Sequence, residues 1–307
     1  MSVVVVGTIG YDSVQTLRGE VSDALGGSAA YFALAARFFS PVSVVAAVGS
    51  DFSSDDYRLF SERAIDLRGV ERHEGKSFRW KARYHDDMNR RETLGLELNV
   101  FARFNPTLLP DQRRSDYLFL ANVSPELQSR VLMQVANPKV VGADTMNHWI
   151  ENERAGLLEL MKRLTILMLN DDEARMLSGE HNLVKAGRAL VKMGPEAVVV
   201  KRGEAGVLHF SQDGVFAAPA YPVEEVVDPT GAGDTFAGAF MGYIARVGRV
   251  NEAVRRAAVV YGAVVASFVV ESFSLGRMSA LSWEDIAQRH RAYNELTDSQ
   301  SPRWTSP

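Results

Sequence analysis

Residues 227–240 read Val-Asp-Pro-Thr-Gly-Ala-Gly-Asp-Thr-Phe-Ala-Gly-Ala-Phe, an order of residue types suited to chemistry on a phosphate. Pro229 is expected to end a strand, while Gly231 and Gly233 let the backbone bend sharply and approach a ligand with no Cβ in the way. A helix follows, on which Phe236, Phe240 and Tyr243 share one face and Gly238 and Gly242 permit close packing on another. The amides of Gly231, Ala232, Gly233 and Asp234 would then project from the positive end of that helix, a receptor for phosphate oxygens. Asp234 falls in the first turn, where a carboxylate could align an attacking hydroxyl and accept its proton. An acid at that place also suits an ordinary helix start.

The elements that must position this turn are legible as periodicity. Continuous apolar runs at 3–6, 42–48, 117–120, 140–143, 166–169 and 197–200 alternate with helical stretches, as strands covered on both faces do. The reading is an α/β chain with a doubly wound, mainly parallel sheet flanked by helices. Residues 77–84 break the rule by alternating, and 93–100 are also strand-like with no helix between the two, which predicts an antiparallel hairpin turning at Asp86 to Asn89. Such a hairpin is either an edge ornament or a cover over a site. Asp12 follows the first strand at its C-terminal end, where open α/β sheets bind ligands, and its carboxylate could accept bonds from neighbouring hydroxyls. Gly26 and Gly27 open an almost wholly apolar helix at 28–38. Asn170 followed by Glu173 has the spacing of a helix capping box.

Composition narrows the field. The chain has 307 residues, 46% hydrophobic and 23% charged, so a large packed core is available and disordered or collagen-like readings fall away. With no cysteine, disulfides, thiolate catalysis and Cys-ligated zinc are excluded, and the six histidines include no ligand-spaced pair. The net charge of −4 comes without a basic cluster, so no nucleic-acid partner is expected. The longest uncharged run, 257–270, is shorter than the roughly 20 residues a bilayer requires. No membrane association is expected, and a cytoplasmic location is the default. Residues 297–307 are polar and proline-bearing and read as a disordered tail to a single domain at 1–296.

The nine residues Asp228 to Phe236 closely resemble the C-terminal signature of the ribokinase-like (PfkB) carbohydrate kinase family. The segments at 6–12, 26–30, 48–51 and 170–173 resemble further family motifs in the same order, so the likeness runs over nearly the whole chain. The resemblance implies an α/β fold with a small β-sheet lid, here at 12–22 and 76–101. It implies an ATP-dependent phosphotransferase acting on a sugar-like hydroxyl, with Asp234 as base and Gly231, Ala232 and Gly233 around the transferred group. Asp12, Gly26 and Gly27 would hold the substrate. Asn170 and Glu173 would face the nucleotide, Glu173 through magnesium-bound water, and Lys201, Gly203 and Gly206 would form the nucleotide loop. Asp228 matches a position that binds a monovalent cation, K+, in many relatives, and a homodimer through the lid is a common family assembly. Tyr31 and Lys201 depart from the pattern, which has asparagine and threonine there. A nucleoside kinase and a non-catalytic sugar or nucleoside sensor are the alternatives. A Rossmann oxidoreductase lacks support, because no G-x-G-x-x-G follows the first strand.

Overall fold

The computed structural model describes residues 2–298, and the counts below refer to them. Thirteen strands form two sheets. The larger contains β1 (Val3–Val6), β4 (Val42–Val48), β5 (Ile65–Arg72), β8 (Tyr117–Leu120), β9 (Val140–Asp144), β10 (Ile166–Asn170), β11 (Ala197–Lys201), β12 (Val207–Ser211) and β13 (Gly214–Ala218). Its order is β13-β12-β11-β10-β9-β8-β1-β4-β5. Every pair is parallel except β11 with β12 and β12 with β13. The smaller sheet is β2 (Gly10–Thr16), β3 (Gly19–Gly26), β6 (Phe78–Tyr84) and β7 (Arg91–Glu97), in the order β3-β2-β6-β7.

β1 shows why the central strands are uniformly apolar. Val3 and Val5 point into one hydrophobic layer, Val4 and Val6 into the other, and all four are buried. Helices Ser28–Ala36, Ala232–Val247 and Glu252–Val269 cover the first face, where Phe32 stacks on Phe119 with ring centroids 4.7 Å apart. Helices Pro125–Leu132, Arg154–Met161, Asp171–Ser178 and Leu183–Lys192 cover the second. With both faces covered, polar alternation would have buried unpaired groups. From β1 the large sheet grows through β4 to β5 on one side and then resumes at β8 on the other, and crevices at such reversals, outside the carboxyl ends of the strands, are where ligands bind.

The hairpin at β6 and β7 forms as its alternation predicts, and it joins β2 and β3 as the second sheet. Three sequence expectations change. Residues before Pro229 are irregular rather than a strand, held where the Val227 and Asp228 amides donate to the Val270 carbonyl at 2.8 and 3.3 Å. The apolar helix after Gly27 stops at Ala36. Thr297 closes the helix Trp283–Thr297, so the expected tail does not begin there, and residues 299–307 lie outside the described part.

Candidate active site

Four of the expected residues sit at or just beyond the carboxyl ends of strands of the large sheet, Asn170 at the end of β10 and Lys201 at the end of β11, with Gly203 and Gly206 in the turn beyond it, whereas Asp12, expected just after β1, lies within the lid strand β2. The turn at Pro229 to Asp234 faces them from the start of helix Ala232–Val247. Gly231 caps that helix in the left-handed region, at φ 76°, and a Cβ there would overlap the Tyr31 ring. Conformation and space therefore both demand glycine.

The amides of this turn are not all available. Ala232 N donates to the Pro229 carbonyl at 3.2 Å, closing a tight turn, so it does not project toward a ligand as expected from the sequence. What the turn lacks in free amides is made up by charge: Lys201 Nζ lies 2.7 Å from where a Gly233 Cβ would stand. An ammonium thus meets the helix N-terminus, and both favour an anion at that point.

Asp234 is only partly exposed, and burial lifts its carboxyl to about 6, with Lys201 and Arg91 pulling the other way. Asp12 is 4% exposed; burial, with Asp228 and Asp234 nearby, lifts it to about 7 although the neighbouring Gly27 amide pulls the other way. Gly26 stands so close that a Cβ would overlap the Asp12 carboxylate. Asn170 and Glu173 make the capping box in full: Asn170 N donates to Glu173 Oε2 and Glu173 N to Asn170 Oδ1, both at 2.8 Å. Burial raises the Glu173 carboxyl, and Lys201 and Arg91 oppose the shift. Asp228 accepts from Thr230 N at 2.9 Å and from Ser274 N at 3.4 Å, tying the turn to the segment after helix Glu252–Val269.

Sequence reasoning gave two of the site's charged side chains no role. Asp144, at the end of β9, is buried with Oδ1 unpartnered among the described residues, and its carboxyl is raised by burial and by Asp234, less so because of Lys201. The signal was an acid ending an apolar strand. Arg91 on β7 is the direct cross-strand partner of Tyr84 on β6 and holds down the carboxyls of Asp234 and Glu173. Nothing in its local sequence sets it apart from Arg90. Tyr84 itself is buried and accepts a hydrogen bond from the Thr230 hydroxyl at 3.3 Å.

The small sheet therefore lies over the crevice as a lid. Its registers put Asp12, Trp80 and Leu96 side by side on one face, with Tyr84 and Arg91 further along that face. At the hairpin tip, Asn89 Oδ1 abuts Gly203 closely enough that a Cβ on the glycine would collide with it. One hairpin thus touches both the acid-bearing turn and the turn after β11. Together these groups can hold a polyhydroxylated molecule at Asp12, an anion at Lys201 and Gly233, and a proton acceptor between them.

The profile of the pfkB family carbohydrate kinases matches residues 2–280. The cytidine kinase of Thermococcus kodakarensis is 30% identical over 262 residues, which cover 83% of this chain and 92% of that protein. Among solved structures, a Burkholderia thailandensis nucleoside kinase in complex with inosine superposes with a TM-score of 0.78 at 17% identity, over 95% of this chain and 98% of that one. A putative ribokinase II from E. coli, in complex with ATP and Mg2+, does so with a TM-score of 0.75 at 19% identity, over 95% and 99%.

Proposed function

Because the chain belongs to the pfkB family of carbohydrate kinases, we propose that it transfers the γ-phosphoryl group of ATP to a hydroxyl of a nucleoside. The observation that carries the transfer is the placing of Asp234 beside Lys201 at a helix N-terminus, with Asp12 under the same lid. Asp12 would accept hydrogen bonds from substrate hydroxyls close to the Gly26 and Gly27 backbone. Asp234 would take the proton of the attacking hydroxyl as its oxygen bonds to the γ-phosphorus and the bond to the bridging oxygen of ADP breaks. Lys201, Arg91 and the Gly231 and Gly233 amides would balance the charge spread over the transferred group.

The turn at Gly203 and Gly206 would seat the nucleotide under Asn89. Asn170 and Glu173 would approach its phosphates, and the hard carboxylate oxygens of Glu173 and of Asp144, whose Oδ1 is unpartnered among the described residues, would suit the water shell of a magnesium ion. Magnesium would supply charge neutralisation between the β- and γ-phosphates. Asp228 accepts from the Thr230 and Ser274 amides, one on each oxygen, and would meet a monovalent cation with its remaining lone pairs.

A nucleoside is favoured over a simple sugar by the lid face. Trp80 is half-buried beside Asp12, and Leu96 remains 56% exposed next to it, so an apolar wall adjoins the hydroxyl-binding acid. A flat base would bury that wall by stacking on the indole, whereas a sugar would leave it wet. The cytidine kinase relative points the same way. ADP release measured with ATP and Mg2+ against cytidine, inosine, adenosine, ribose and fructose tests this reading. Turnover of at least one ribonucleoside at a kcat/KM well above that of both sugars is expected; a preference for ribose or fructose would overturn the nucleoside assignment, and ligand binding without ADP release would make the chain a sensor.

A second copy of the chain would cover the exposed lid leucines Leu17, Leu94 and Leu98. Sedimentation at micromolar concentration is expected to give a dimer, and a monomer would remove this assembly.

A further inference from the structure

Tyr31 is 1% exposed, yet its hydroxyl has no hydrogen-bond partner among the described residues. Buried hydroxyls are normally paired, because leaving one unmade forfeits its hydration without return. The ring accounts for the packing: its base lies against Gly231, and Cε2 lies 3.4 Å from where a Gly26 Cβ would stand. The side chain thus spans from the helix start that carries Asp234 to the glycine beside Asp12. Asp12, Asp228, Asp234 and Tyr84 are its polar neighbours, and burial together with their charges holds the phenol well above its ordinary range, so it remains a donor at any working pH.

A buried donor with acceptors around it, none of them a hydrogen-bond partner, is matched by a group that can bond to both. A hydroxyl is such a group, since it can donate to a carboxylate while accepting from an O–H. We propose that Tyr31 is a specificity-determining residue whose hydroxyl donates to the ribose hydroxyl held by Asp12, so that the enzyme rejects the corresponding deoxynucleoside. This rests on the nucleoside kinase reading above, and it goes beyond that reading by assigning the discrimination to one side chain.

The test compares wild type with Tyr31→Phe, which keeps the ring that packs on Gly231. For the ribonucleoside turned over fastest among cytidine, inosine and adenosine, kcat/KM is measured alongside its 2′-deoxy and 3′-deoxy forms. Wild type is expected to disfavour one deoxy form by on the order of 10⁴-fold, as sites built around a substrate hydroxyl do. Tyr31→Phe should shrink that ratio by about tenfold or more, through loss of activity on the ribonucleoside, with the thermal midpoint retained. A variant that slows all three substrates equally, or leaves the ratio intact as it would if only water met the phenol, overturns the proposal. Wild type needs no variant to refute it: equal use of the ribonucleoside and both deoxy forms would suffice. Absence of ADP release with every nucleoside would instead strike the nucleoside kinase reading, and this assignment with it.

Discussion

Replacing Asp234 with Asn is expected to lower kcat by about 10²–10⁴-fold while KM for both substrates changes little, the range that general-base catalysis contributes. The amide keeps the size and hydrogen-bonding reach of the acid but cannot take the proton. Alignment alone would survive, so the loss measures proton acceptance in particular. The wild-type pH profile supplies an independent reading. Since burial lifts the Asp234 carboxyl to about 6, kcat/KM should fall as pH drops through that value, and this acid limb should vanish in the variant. Stability moves the other way. A carboxyl whose folded value lies above its unfolded one destabilises the native state once it ionises, so Asp234→Asn should melt no lower than wild type near pH 7, with the difference shrinking as pH falls from about 6 toward 4. Turnover within severalfold of wild type, in a folded variant, would remove Asp234 from the proposed mechanism.

Lys201→Met is expected to cost about 10²-fold in kcat/KM for ATP, the scale set by removing one charge-stabilising donor. Its ammonium meets the Gly233 backbone and pulls down the carboxyls of Asp144, Glu173 and Asp234 together. Without it, three buried acids keep only Arg91 and backbone amides as compensation. Two further consequences are measurable. The acid limb of kcat/KM should move to higher pH, because Asp234 loses the first of the charges that lower it. The variant should also melt lower than wild type near neutral pH and recover part of the difference as the medium is acidified and the acids are neutralised. Lys201→Arg, which keeps the charge, should hold the pH limb near its wild-type place. An unshifted limb in Lys201→Met would show that the ammonium does not govern the base.

How far these roles could be read in advance differs residue by residue. The buried valines of β1 and the other apolar runs allow no placement except strands between two helical layers, so periodicity was enough for the large sheet. β5, β12 and β13 did not stand out, because their polar or solvent-facing positions dilute the apolar signal. The hairpin was legible because one wet face imposes strict alternation. Asn170 and Glu173 were readable as a cap because capping is a contact between residues three apart, and the cap is present in full.

The chain's order of residues by itself determined the two-layered α/β sheet, the hairpin, and the glycine turn that ends in Asp234, since each depends on neighbours within a few positions or on a repeating period. Only the tertiary structure decided that Lys201 closes on Gly233, that Arg91 joins Asp234 and Glu173, that Ala232 spends its amide on Pro229, and that Tyr31 stands between the two acids with an unpaired hydroxyl. Apart from the Ala232 turn, these meetings join residues far apart in the chain, brought together by strand order and lid placement. Their energies depend on burial and on the distances between side chains, and neither quantity exists until the sheet has formed.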